Sequence, residues 1–250
     1  MNSLGLLNAI NGTEGFSTNI KLNDSDLDVL RKLIRIQWLY RLQLLDDKNV
    51  YQFDKLGIER YHELCHLIDH SSSWPKKARV LPKEAVSLIR KLDFFKLLED
   101  ELGYFQISDE EHLGWEEIYW RLVRPGNNDC GSLHADKWFW DIGGYGKVAG
   151  FPHTRLKIWI PIYTSPGKNG LLISPGSHLK KNWKWHSELR YGLNKPILDE
   201  PIENINPVLL SLEPGHAVVF HDELIHGGAP NTAETTRVSM EFTLLIPSNG

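Results

Sequence analysis

The chain of 250 residues carries only two cysteines, Cys65 and Cys130. Two thiols cannot staple a disulfide scaffold, so stability has to come from a buried core, and so few cysteines suit a reducing compartment. Long apolar runs are missing as well. Uninterrupted stretches stop at lengths such as 217–220, far short of the roughly 18–20 residues needed to cross a bilayer, so no membrane partner is expected. There is no block of positive charge: 28 Lys+Arg stand against 32 Asp+Glu, a formal charge of −4. Sequence-independent binding to phosphate backbones needs a basic surface, so nucleic acid is not an expected partner. The opening residues MNSLGLLNAINGTEGF contain neither Lys nor Arg. They read as neither a secretory nor a mitochondrial signal. A soluble, cytoplasmic protein is the expectation, and the N-glycosylation patterns at Asn11 and Asn23 then count as accidental.

Histidine and tryptophan are plentiful, with 11 and 9 copies. The chain has two textures. Residues 1–100 read as helical support. Asp24 or Ser25 can cap a helix carrying Leu27, Leu30, Ile34, Trp38, Leu42 and Leu45 at three- and four-residue spacing. A second helix is expected over about 58–69, and a third from Pro82 through Leu92. Residues 104–250 instead alternate short β-rich runs with Gly/Pro/Asn turns. The runs are 117–124, 156–163, 171–174, 208–212, 217–221 and 236–246. Regular short strands with turn signals indicate a sandwich or barrel. No linker or repeat divides the chain, so the expectation is one domain over 1–250: a mainly β core with a helical flank. The polar, Trp-containing stretch 180–206 reads as an insertion over one face and a candidate lid.

Two groups of residues carry metal-ligand chemistry. The first is His134, Asp136 and His226. In an extended chain, residues two apart point to one side, so His134 and Asp136 converge. Two imidazoles and a carboxylate on one face of an octahedral ion leave three positions open, the arrangement of non-heme Fe(II) oxygenases. Arg237 follows His226 by 11 residues, and Ser239 shares its strand face. A guanidinium fork plus a hydroxyl makes a carboxylate clamp. An H-x-D triplet is weak alone; its order with the distal His and the Arg/Ser clamp carries the signal.

The second group is His62-Glu63-Leu64-Cys65-His66, the H-E-x-x-H spacing of zinc metallopeptidases. Here Ile58, Tyr61, Leu64, Cys65 and Ile68 take the apolar face of the expected helix, leaving His62, His66 and His70 as a solvent stripe. A third ligand is also missing apart from Glu84. The zinc peptidase is therefore the alternative reading, beside a non-catalytic jelly-roll binding protein.

The C-terminal portion, about 130 residues, resembles the phytanoyl-CoA dioxygenase branch of the Fe(II)/2-oxoglutarate oxygenases. The matching text is Arg-Pro-Gly at 124–126, Leu-His-Ala-Asp at 133–136 and Ile-Trp-Ile-Pro-Ile at 158–162. It continues with Asn-Gly-Leu-Leu-Ile-Ser-Pro-Gly-Ser-His at 169–178, Pro-Gly-His-Ala-Val-Val-Phe-His at 214–221, His-Gly-Gly at 226–228 and Arg-Val-Ser at 237–239. The resemblance implies a double-stranded β-helix (jelly roll, cupin-like) with flanking helices. It implies His134, Asp136 and His226 as iron ligands and Arg237 as the anchor of the 2-oxoglutarate cosubstrate. It further implies use of O2, decarboxylation to succinate, and oxidation of a small organic substrate. Related halogenases replace the carboxylate ligand by Gly or Ala; Asp136 is present, which favours hydroxylation or another oxidation.

Neighbouring candidates follow from strand faces and loop position. Lys157 and Trp159 alternate with Ile158 and Ile160. If the isoleucines pack under the helices, Lys157 points inward to a cosubstrate carboxylate; the opposite register puts it in solvent. Arg121, on the strand before the H-x-D loop, is a similar substrate candidate. Lys137 and Trp138, in an expected loop after Asp136, are candidates for the site mouth. His178 and His221 read as structural.

Overall fold

The computed structural model describes residues 4–143, 152–190 and 193–248. The first part contains helices α1 (Leu4–Asn11), α2 (Asp24–Leu45), α3 (Val50–Leu56), α4 (Tyr61–Leu64), α5 (His70–Ser73), α6 (Lys83–Ile89) and α7 (Asp93–Leu102), with strand β1 (Phe16–Lys21) between the first two. Then come β2 (Gln106–Ile107), β3 (Tyr119–Val123), α8 (Asp136–Asp141), β4 (His153–Tyr163), β5 (Leu171–Ile173), β6 (Trp185–Arg190), β7 (Leu193–Leu198), β8 (Val208–Leu209), β9 (His216–His221), β10 (His226–Gly228) and β11 (Arg237–Pro247). Six strands form the larger sheet in the order β1-β9-β4-β11, with β3 and β2 sharing the outer edge of β11. A smaller sheet runs β10-β5-β8, and β6 with β7 forms a separate hairpin. Two facing antiparallel sheets make the expected jelly roll.

Alternation along the strands assigns the layers. Ile158, Ile160 and Ile162 of β4 and Val238, Met240, Phe242 and Leu244 of β11 join the main core with α2 and α7. The amphipathic stripe of α2 buries Leu27, Leu30, Ile34, Trp38 and Leu42 as spaced in the sequence. Asn23 is its cap, accepting from the Asp26 amide at 2.8 Å. Asp26, buried beside it, accepts from the Phe94 amide and so ties α2 to the start of α7. On the opposite face of the sheet, Trp159, Val218 and Phe220 pack with Leu171, Ile173 and Leu224 between the sheets.

Five features differ from the sequence expectation. The 58–69 helix is broken into a 3-10 turn, the single turn α4 and a second 3-10 turn. Tyr61 stacks against Phe53, meets Trp38 and Trp74 edge-on and bonds His70, and these tertiary contacts outweigh local helix propensity. Pro82 caps α6 from outside, and the chain turns at Arg90–Leu92 before α7 begins. Asp136 opens α8, so the H-x-D triplet is extended only through Ala135. Residues 180–206 contain the β6–β7 hairpin, and β1 adds a strand to the otherwise helical first hundred residues. Among the described residues no helix is long and apolar enough to cross a membrane.

Candidate metal centre

His134 and His226 come from different segments joined as an antiparallel bridge, each donating its amide to the other's carbonyl at 2.9 Å. Asp136 reaches the same point from the first turn of α8. His134 Nε2 lies 3.7 Å from Asp136 Oδ1, and His226 Nε2 lies 3.7 Å from Asp136 Oδ2. One ligand atom from each of the three residues falls within 4.8 Å of the others. Among the described residues this is the group of His, Cys, Asp and Glu able to hold a metal ion.

Hydrogen bonding fixes which imidazole nitrogen is available. His134 Nδ1 donates to the Ser132 carbonyl at 2.7 Å, and His226 Nδ1 donates to the Leu224 carbonyl at 2.9 Å. A carbonyl only accepts, so each Nδ1 carries the proton and each Nε2 offers a lone pair toward Asp136. Burial pushes the His226 pKa down to about 4, outweighing the attraction of Asp136, which keeps the ring neutral as a ligand must be. Burial disfavours the Asp136 carboxylate, yet Lys157, His226 and His134 hold it well below the ordinary range. Its Oδ2 is buried without a hydrogen-bond partner. Phe220 and Phe139 edge the two rings at 4.6 and 5.2 Å.

Arg237 and Ser239, expected from the sequence to form a carboxylate clamp, lie on the inward face of β11. Arg237 is 2% exposed. Its Nη1 donates to the carbonyls of Gly170 and Ala229, and Nη2 sits 4.0 Å from Cys130 Sγ. Among the described residues it makes no ion pair, and both its Nε and the Ser239 hydroxyl are buried without a hydrogen-bond partner. An unmatched buried cation beside an unmatched hydroxyl is costly in a dry interior, and an anionic ligand satisfies both. Gly228 makes room for the guanidinium: a Cβ there would stand 3.0 Å from Arg237 Nη2 and 3.1 Å from Cys130 Sγ.

Lys157 faces inward, 3% exposed, with Asp136 Oδ2 at 3.7 Å, Tyr119 Oη at 3.3 Å and Thr243 Oγ1 at 3.5 Å. Burial alone would lower its pKa, but Asp136, Tyr119, Glu110 and Glu241 raise it well above the usual value. Trp159 is buried in the apolar cluster between the sheets. Arg121 also lies on the inward side, next to Ser239 in register, with its guanidinium paired to Glu241.

Two further sequence candidates, Lys137 and Trp138, lie on α8 directly after Asp136. Lys137 pairs with Asp141 one turn along α8, at 2.7 Å. Trp138 is 6% exposed, stacked on Trp185. Their segment is helical, not a loop, because Lys137 and Asp141 meet at i,i+4 and Trp138 has an apolar face to bury. His178 is buried, bonding the Gly12 carbonyl at 3.0 Å, and His221 Nδ1 accepts from the Glu223 amide at 3.0 Å. Both rings thus bond to the backbone, in keeping with the structural role expected of them. Tyr119, Glu241, Glu110 and Thr243 went unread in the sequence. The signal was available on β11, where Arg237, Ser239, Glu241 and Thr243 recur every second residue.

The H-E-x-x-H residues scatter. His62 Nδ1 bonds Thr236 Oγ1 at 3.0 Å, Glu63 pairs with Arg60, and His70 lies against Tyr61 and, at 3.6 Å, Asp129. Only His66 of the expected solvent stripe is exposed. The break in the helix takes His62 and His66 off one continuous α-helical face, and the zinc-peptidase alternative is left without a site among the described residues.

A jelly roll with a two-His, one-carboxylate centre defines a class of metal-binding proteins. Residues 92–239 match the family model of phytanoyl-CoA dioxygenase (PhyH), and the chain belongs to that family. No curated protein matches the chain. Among solved structures it is similar to EvdO2 from Micromonospora carbonacea var. aurantiaca complexed with 2-oxoglutarate. That match has 16% identity and a TM-score of 0.61, covering 95% of this chain and 89% of that one. It is similar also to the epimerase SnoN in complex with Fe3+, alpha-ketoglutarate and nogalamycin RO, at 15% identity and TM-score 0.54, covering 98% and 84%. The apo form of EctD from S. alaskensis gives 14% and 0.54, covering 97% and 76%. At these identities the likeness establishes the fold.

Proposed function

We propose that the protein is an Fe(II)- and 2-oxoglutarate-dependent oxygenase that hydroxylates, or otherwise oxidises, a small polar organic molecule. One observation carries the reading. Three buried polar atoms without hydrogen-bond partners, Asp136 Oδ2, Arg237 Nε and Ser239 Oγ, belong to the two halves of such a site. The first belongs to a metal triad whose imidazoles already have the right tautomer. The other two belong to a clamp for a carboxylate.

In this reading His134, Asp136 and His226 hold the iron on one face. Arg237 and Ser239 bind the distal carboxylate of 2-oxoglutarate, and Lys157 supports the anionic end near the metal. When bound, the iron with 2-oxoglutarate and O2 supplies the oxidising chemistry, leaving succinate and CO2. The chain's own contribution is positional and electrostatic. Ser132 and Leu224 carbonyls orient the ligand rings, Lys157 keeps Asp136 ionised, and Trp159 and Phe220 form a dry wall between the sheets. Asp136 occupies the carboxylate position, so hydroxylation is favoured over halogenation.

The test is anaerobic addition of Fe(II) and 2-oxoglutarate to the metal-free protein, followed by admission of O2. The expected results are a visible charge-transfer band before O2 and succinate after it. A protein with no iron uptake and no succinate would refute the assignment, and iron uptake without succinate would favour a non-catalytic binding role.

A further inference from the structure

Each metal ligand is flanked by residues of one apolar cluster. Leu133 and Ala135 bracket His134, Trp138 lies two residues past Asp136, and Ile225 precedes His226. The other members, Trp183, Trp185, Leu198 and Ile205, all come from the 180–206 insertion. Trp185 stacks on Trp138 with ring centroids 5.3 Å apart and planes 14° from parallel. Two serines extend the connection through hydrogen bonds. The Ile225 amide donates to Ser177 Oγ at 2.8 Å, and the carbonyl of Ser177 accepts from Trp183 Nε1 at 2.8 Å. The Ile225 carbonyl accepts from the Ser174 amide at 2.8 Å, and the Ser174 hydroxyl donates to the Ile205 carbonyl. Both backbone groups of the residue before His226 are therefore held by serines that the insertion itself grips.

We propose that the 180–206 insertion is a positioning element of the metal centre, in which Trp183, Trp185, Leu198 and Ile205 set the spacing of His134, Asp136 and His226. The inference rests on the metal-centre reading above. The physical argument is that a loose backbone spreads three ligands over a range of separations, and the ion must then supply the energy of gathering them. Packing the flanking residues into one cluster meets that cost during folding. A lid would behave otherwise: it would touch substrate, and its loss would leave metal affinity alone.

The experiment is titration of the metal-free full chain with Co(II), read by its visible absorption and by calorimetry, with a thermal melt on every variant. Trp185→Ala removes the stack on Trp138 and is expected to weaken Co(II) binding by about 10- to 100-fold, the range for residues that orient ligands. Trp185→Phe keeps a ring on Trp138 and is expected to restore most of the affinity. Leu189→Ala changes the same hairpin at a site 70% exposed and is expected to bind as wild type. If Trp185→Ala does not fold, Ser177→Ala decides the matter, because it removes the acceptor for the Ile225 amide while leaving the tryptophans in place. Folded Trp185→Ala or Ser177→Ala protein with wild-type Co(II) affinity would overturn the positioning role alone. Absence of Co(II) uptake by the wild type would overturn the metal centre itself.

Discussion

Arg237→Lys isolates what the guanidinium does. Nη1 is committed to the Gly170 and Ala229 carbonyls and Nη2 has only the 4.0 Å contact to Cys130 Sγ, so the donors left for a ligand are Nε and an Nη2 N–H, with Ser239 Oγ two residues along the same strand face. Lysine keeps the charge but carries its three donors on one nitrogen, so it cannot span the two carbonyls and the ligand position that the guanidinium reaches from separate nitrogens. A hydrogen bond to a charged acceptor contributes about 1.5–3 kcal/mol. Losing one, with part of a second, removes about 2–4 kcal/mol from cosubstrate binding, or roughly 30- to 700-fold in Kd. Ser239→Ala loses a single donor and should cost roughly 10- to 150-fold. The assay is calorimetric titration of 2-oxoglutarate into Co(II)-loaded protein without O2, alongside Co(II) titration of each variant. Metal affinity should be unchanged in both, because neither side chain belongs to the triad. A 2-oxoglutarate Kd for Arg237→Lys within a factor of about three of wild type would refute the clamp. A loss of Co(II) binding by the same variant would show that Arg237 acts by holding the sheets together.

Other outcomes follow from the same geometry. Gly228→Ala should weaken 2-oxoglutarate binding several-fold, since the added Cβ meets Arg237 Nη2 at 3.0 Å; Cys130→Ala in that background should recover part of the loss by removing the sulfur at 3.1 Å. Asp136→Ala should abolish Co(II) uptake, whereas Glu63→Gln should leave it and succinate formation intact; loss in the latter would revive the peptidase motif. Glu241 is buried, which raises its pKa, but Arg121 and Lys157 together bring it down to about 2 from an unfolded value of 4.5. Its contribution to stability is therefore complete above 4.5 and disappears as pH falls toward 2, a window corresponding to about 3 kcal/mol. The Tm gap between wild type and Glu241→Gln should accordingly narrow between pH 7 and pH 3, and a gap independent of pH would refute the linkage.

What could be read in advance depended on how local the cause was. The α2 stripe and the strands at 156–163 and 236–246 carry their periodicity in their own residues, and they formed close to the expected limits. The triad was legible because the H-x-D, the distal His and the Arg/Ser pair fall in order along the chain. β1 was missed because Phe16–Lys21 has little apolar alternation and exists by pairing with β9, some 200 residues away. Helix α8 was missed because its aromatics signal packing without saying where, and their partner Trp185 lies in the insertion. The 58–69 break comes from Tyr61 and His62 reaching residues as distant as Trp74 and Thr236, which no helical window contains.

Strand β11 shows why the site sits where it does. Every residue from Arg237 to Leu245 is buried, yet the two faces differ completely. Val238, Met240, Phe242 and Leu244 go to the helix-covered core, whereas Arg237, Ser239, Glu241 and Thr243 line the space between the sheets. A polar row is a poor filling for a barrel unless its groups are matched. Most are: Glu241 has Arg121 and Tyr119, and Thr243 donates to Glu110. Unmatched atoms lie at Arg237 and Ser239 on this row and at Asp136, beside the inward-facing Lys157. A jelly roll selected for stability alone would fill those positions with apolar side chains. Keeping them polar lowers stability, a loss that binding of an anion and a metal ion would recover, which is why these three atoms carry the proposed site.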